Sequence, residues 1–161
     1  MKKILALCLA ILMLTAFAGC QKNPAKDEDS VSCTFTINAS LAAKNEGLDK
    51  DVASLLKDDG MLANAKSFTV KKGTNAGDAF KAFCKENNIV LNSEDGEYGL
   101  FVKGIGGLDN GACGSSSYWL FKVNGEFSDV GADSVTVNEG DTFEWVFTCD
   151  GGPDVGYSWK E

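Results

Sequence analysis

The chain has 161 residues, room for one domain plus a leader and a tether, and carries 23 acidic against 15 basic residues for a net charge of −8. That balance argues against nucleic acid, whose phosphates require basic patches, and favours solubility and cations. Histidine is absent, which removes the commonest general base and transition-metal ligand; no GxSxG elbow, Walker loop, GxGxxG or CxxC occurs, so no catalytic residues and no metal site are assigned, and a non-enzyme is expected.

At the N-terminus, Lys2 and Lys3 precede an apolar run from Ile4 to Ala18 broken only by Thr15. The run is shorter than the roughly 20 residues of a spanning helix and ends on the small residues Ala18 and Gly19, so residues 1–19 read as a cleavable signal peptide. Phe17-Ala18-Gly19-Cys20 resembles a bacterial lipobox, with Phe17 where an aliphatic residue usually stands. Cys20 is the expected lipidation site, where acyl chains such as palmitate would hold a lipoprotein at the cell membrane or cell envelope on the extracytoplasmic side. Residues 20–30 form the anchored linker, polar and including the acidic run Asp27-Glu28-Asp29. Of six cysteines, Cys8 leaves with the signal peptide. Cys33, Cys84, Cys113 and Cys149 remain, an even and widely spaced set that suggests two disulfides rather than zinc.

The folded domain is expected over 31–149. From Val31, Cys33, Phe35 and Ile37 alternate with Ser32, Thr34 and Thr36, a half-buried strand. Leu41 to Ala65 reads as an excursion with a short helix at Asp49–Lys57, and Phe68 and Val70 mark a second strand. Gly73 turns the chain and Thr74 is the expected N-cap of the main helix, whose Ala76, Ala79, Phe80, Phe83 and Cys84 recur at helical spacing up to Asn88. Asn92–Glu97 reads as a turn, Tyr98–Lys103 as a third strand, and the glycine-rich stretch from Gly104 to Gly111 as a loop without the lysine of a phosphate cradle. Ser117–Val123 is a fourth strand ending at the hairpin signal Asn124-Gly125. Val135 and Val137 suit a short strand, Asn138–Asp141 a tight turn, and Thr142–Thr148 the last long strand. Residues 150–161 are a C-terminal tail, loose or adding an edge strand.

Strand, strand, helix and then three or more strands is the order of a β-grasp, so the expected fold is α+β: a β-grasp-like mixed sheet with one main helix packed across it and a short helical excursion between the first two strands. The stretches TVKKGTNAGDAFKAF, GLFVKGIGGLDNG and SYWLFKVNGEFSDVGADSVTVNEGDTFEWVF resemble the transcobalamin-like C-terminal domain family. The resemblance implies the small domain of animal cobalamin carriers, a lid over a ligand held mainly by a larger helical domain, and isolated domains of bacterial surface lipoproteins. Its ligand-facing edge corresponds to the loop from Gly104 to Ser117 and the start of the following strand, which gives Tyr118, Trp119, Ser115, Ser116, Ser117, Ile105 and Gly106 as ligand-binding candidates. β-Grasp topology sets the first and last strands parallel, puts Cys33 and Cys149 at opposite ends, and leads to the pairs Cys33–Cys113 and Cys84–Cys149.

The residues Tyr118, Trp119, Leu120 and Phe121 are apolar on both faces of their strand. Either the second face is covered by the excursion or the tail, or it is an exposed patch that marks a binding surface. The leading functional reading is a membrane-anchored, non-enzymatic small-molecule binding module with no cofactor of its own, whose ligand the resemblance implies to be cobalamin or another corrinoid. The alternatives are an adhesion or assembly module binding another protein or glycan, and calcium or other cation binding through Asp109, Asp129, Asp133, Asp150 and Asp154.

Overall fold

Strict alternation in SVSCTFTIN builds β1, Ser30–Asn38, with Val31, Cys33, Phe35 and Ile37 buried and the residues between them half-exposed. In the computed structural model, residues 28–56, 59–97 and 99–158 are described. The signal peptide, Cys20 and most of the linker lie outside the described residues. The last long strand, β8 (Thr142–Thr148), runs parallel to β1 with Phe35 beside Phe143 and Ile37 beside Trp145. β2 (Met61–Lys71) flanks β1 antiparallel, while β6 (Tyr118–Val123) flanks β8 antiparallel and is extended by β7 (Glu126–Phe127). The five-stranded order is β2-β1-β8-β6-β7, the mixed sheet of a β-grasp-like α+β fold.

The main helix, α3 (Ala76–Glu86), lays Ala79, Phe80, Phe83 and Cys84 across one face of this sheet. Asn75 caps it in place of the expected Thr74: its Oδ1 accepts the Asp78 N–H at 2.7 Å, whereas the Thr74 carbonyl is taken by the Val137 N–H at 2.9 Å. Phe35 is the centre of the core, its ring 4.8 Å from that of Phe83, 5.4 Å from Phe143 and 5.7 Å from Phe80. Phe80 in turn stacks on Trp145 at 4.9 Å.

The excursion contains two short helices, α1 (Ser40–Ala43) and α2 (Lys50–Leu55). Asp49 caps α2, accepting the N–H groups of Asp51 and Val52. Residues 61–65, expected in the excursion, are strand. Asn64 and Lys66 break the apolar alternation there because β2 is an edge strand with one face in water, and its register shifts between Phe35 and Ile37 where Ala65 has φ 43°. Likewise 91–96, whose NSEDG reads as a turn, is β3 (Leu91–Gly96), polar because most of it is exposed. It pairs with β4 (Gly99–Ile105), and β4 pairs with β5 (Leu108–Asp109), making a separate three-stranded sheet. The short strand expected at Val135 and Val137 is replaced by a 3₁₀ turn at Ala132–Ser134 and a single bridge between Thr136 and Asn75. This segment anchors the start of α3, the Val135 carbonyl accepting the Ala76 N–H at 2.7 Å.

The tail adds no strand among the described residues. It folds back as a 3₁₀ turn, Pro153–Val155, and the Asp154 carboxylate accepts the Cys149 N–H at 2.7 Å and the Thr148 hydroxyl. Together α1 and this turn shelter the sheet face opposite α3, where Val146 is buried beside Leu41 and Val155. Excursion and tail thus both contribute to covering the second apolar face.

All four cysteines among the described residues are free thiols. The pairs Cys33–Cys113 and Cys84–Cys149 are not brought together. β6 is antiparallel to β8, so the loop that feeds β6 arrives where β8 leaves, and Cys113 is a neighbour of Cys149 there. Cys33, next to the Thr34–Thr142 pair, sits at the opposite end of β8, roughly 23 Å away at strand rise. Its thiol donates to the Phe68 carbonyl at 3.6 Å. Cys84 is buried on the core face of α3.

Replacing Phe35 with alanine should lower the unfolding free energy by about 3–5 kcal/mol in urea titrations, because four neighbouring aromatic rings lose their common partner. Burial pushes the Cys84 thiol up to about 12; burial, then the Asp141 charge, pushes Cys33 up to about 11. The folded state therefore keeps protons that the unfolded chain, with its thiols near 9, releases. This stability is complete below pH 9 and is lost as pH rises toward the folded values. Between pH 8 and pH 10 it should fall by about 1 kcal/mol per thiol, and by correspondingly less in Cys84→Ala.

Candidate functional site

β6 gives one edge to β8 along its whole length, but on the other edge β7 reaches only Lys122 and Val123. Along Tyr118 to Phe121 that edge forms no ladder with a strand among the described residues, and the Phe121 carbonyl accepts the Ser128 N–H at 3.0 Å. β4 is in the same position, because β5 pairs with it only at Gly104 and Ile105. These two edges face each other across a slot of about 410 Å³, lined by Leu100, Phe101 and Val102 on one side and by Tyr118, Trp119, Leu120 and Phe121 on the other. Ala132 and Trp145 lie at its base; Phe101 and Val130, each 54 % exposed, stand at its rim.

One polar side chain joins the walls, and a second holds β4 to the 3₁₀ turn. Asn110 acts as a substitute strand: its backbone N–H donates to Lys103 O at 2.7 Å, its side-chain amide donates to Val102 O at 3.0 Å, and its Oδ1 accepts the Trp119 N–H at 3.1 Å. At the other side Asp133 accepts the Leu100 N–H at 2.8 Å. Gly77 and Gly99 leave room for that carboxylate, since a Cβ on Gly77 would stand 1.7 Å from Asp133 Oδ1 and one on Gly99 2.8 Å from Oδ2. Asn110 stands between the edges at one end, and the slot is the space beyond it.

Within the slot the aromatic groups are fixed. The Trp119 ring N–H donates to Leu108 O at 2.9 Å and its ring meets Phe147 edge-on at 5.1 Å. The Tyr118 hydroxyl donates to Gly151 O at 2.7 Å. Trp145 Nε1 is buried without a hydrogen-bond partner among the described residues. The arrangement offers a rigid apolar wall between strand edges whose Trp119 and Leu100 N–H groups and Val102 and Phe121 carbonyls are already bonded.

Of the sequence candidates, Tyr118 and Trp119 line the slot; Ser115, Ser116, Ser117, Ile105 and Gly106 do not. Ser115 and Ser116 are exposed in the turn before β6, while Ser117 is buried, its hydroxyl donating to Gly114 O and accepting the Cys113 N–H. Ile105 is a core residue, and Gly106 turns β4 into β5 at φ 64° with the Leu62 side chain against it. Asn110, Phe101 and Val130 were not legible as site residues, and Asp133 was legible only as a candidate cation ligand; the one signal was Val130, a large apolar residue between Asp129 and Gly131. Among the described residues no three acidic or cysteine side chains gather to hold a metal ion. Asp109, Asp133 and Asp154 instead accept bonds from Asn92, Leu100 and Cys149 respectively.

The domain with this edge-lined slot has counterparts among known proteins. Residues 73–148 match the model of a domain of unknown function, DUF4430. None of the curated proteins matches the chain. Among solved structures, haptocorrin in complex with Cbi is similar at 18 % identity and a TM-score of 0.56, over 76 % of this chain. The chain spans about a quarter of that protein, 26 % of its length, and the likeness establishes a shared fold. A protein of Ruminococcus gnavus described as a metal-binding candidate aligns over 73 % of this chain and 96 % of its own, at 19 % identity and a TM-score of 0.45.

Asn110→Ala should remove both side-chain bonds across the slot. Exchange of the Trp119 amide hydrogen is expected to accelerate at least about tenfold, while the amide of Phe35 in the central sheet keeps its protection.

Proposed function

We propose that the domain is a non-catalytic binding module that takes the apolar face or edge of a small molecule in the slot between β4 and β6. The observation that carries this reading is the slot itself: two strand edges bridged at one end by Asn110, walled by aromatic side chains and rimmed by exposed Phe101 and Val130. An exposed apolar rim on a very acidic chain is costly to leave in water without a use. A volume of about 410 Å³ is at the small end for a ligand pocket. A corrinoid such as cobalamin would therefore lie against the slot with one side inserted, as beneath a lid, rather than be enclosed. The shared fold with haptocorrin supports a corrinoid as the class to test first. The signal-like N-terminus and Cys20 support placing this module at the cell envelope, tethered by lipid.

Titration calorimetry of the protein with cobinamide and cobalamin is the direct test. Binding is expected to weaken at least about tenfold in Val130→Asp, which places a charge at the rim without disturbing the core. Absence of heat and of any corrinoid spectral change at high protein concentration would remove the corrinoid reading. Affinity unchanged by the rim charge would remove the slot.

A further inference from the structure

We propose that Cys113 and Cys149 form a disulfide that staples the loop feeding β6 to the end of β8. The Cys113 thiol is the neighbour that, after burial, raises the Cys149 pKa, and the backbone geometry shows why the two lie together. The backbone on each side is fixed independently of the sulfurs. The ladder between β6 and β8 ends at Tyr118 beside Thr148, so Ser117 and Cys149 are the next residues opposite each other. One step further the Gly151 N–H donates to Ser116 O at 2.8 Å. Cys113 is tied to this end of the ladder by its N–H, which donates to the Ser117 hydroxyl at 3.0 Å. Both cysteines are thus held at the same end of the ladder, the proximity that decides whether a disulfide can form.

Accessibility separates this pair from the other two thiols. Cys113 and Cys149 are partly exposed, whereas Cys33 and Cys84 are 2 % and 1 % exposed. Burial, and then the neighbouring Cys113 thiol, push Cys149 up to about 12. With a disulfide oxidant such as glutathione disulfide, the Cys113 thiolate attacks one sulfur and releases one glutathione. Cys149, losing its proton, then attacks the Cys113 sulfur and releases the second. Two protein thiols are oxidised, one external disulfide is reduced, and both protons end on the two glutathione thiols. The signal peptide read from the sequence would deliver the chain to a compartment where such oxidants persist. Because Asn110 lies three residues before Cys113, the staple also secures the loop that bridges the slot.

The full-length protein, equilibrated with glutathione disulfide, alkylated after denaturation and digested without reductant, should yield a peptide pair joining Cys113 to Cys149, with Cys33 and Cys84 alkylated. Reduction should lower the thermal midpoint on the order of 10 °C in the unsubstituted protein and leave it unchanged in the double variant Cys113→Ser, Cys149→Ser. Alkylation of both Cys113 and Cys149 after oxidation, or linkage of either to Cys33 or Cys84, would overturn the assignment. An equal loss of midpoint on reduction of the double variant would overturn it as well.

Discussion

The parallel pairing of β1 with β8 governs the rest of the molecule. It joins the two ends of the folded chain at the centre of one sheet, with Phe35 beside Phe143. Everything between must therefore act as a crossover that leaves one end of the sheet and returns to the other. α3 does the covering, and the aromatic cluster around Phe35 is the junction at which helix, first strand and last strand become one core. Direction follows from the same constraint. With β8 fixed, antiparallel β6 must begin where β8 ends, and the loop from Gly106 to Ser117 is delivered to that end.

That geometry explains which features were legible in the sequence. β1, β8 and the buried stripe of α3 were clear because each has a single, unbroken period imposed by one buried face. β3 was read as a turn because Asn92, Ser93, Glu94 and Asp95 show no apolar alternation, and a strand with little buried surface needs none. The first half of β2 was hidden by the same exposure and by the register shift near Ala65. The cap of α3 was misplaced by one residue because Thr74 and Asn75 are both good caps by chemistry, and the choice is made by Val137, more than sixty residues away in sequence, which takes the Thr74 carbonyl.

The candidate site was half visible. Tyr118 and Trp119 stood out as apolar residues on both faces of a strand, and they do line the slot. Its construction could not be read, because Asn110 and Asp133 look like ordinary loop residues until the partners of their side chains are known. The serine run, attractive as a source of hydroxyls, is instead the turn that starts β6, with Ser117 spending its hydroxyl on the loop itself. Loop composition indicated the correct neighbourhood without distinguishing the groups that shape the slot from those that merely close a turn.

The register shift in β2 has a consequence for how copies of this chain meet. A regular eleven-residue edge strand is a template on which another sheet can grow. Here Ala65 at φ 43° interrupts the ladder, and Lys66 and Lys71 bring charge to the same strand. On the far side, along Tyr118 to Phe121, Asn110 and Ser128 take the Trp119 N–H and the Phe121 carbonyl. Both margins of the sheet are thus poor templates for another strand, which works against self-association into a continuous ribbon.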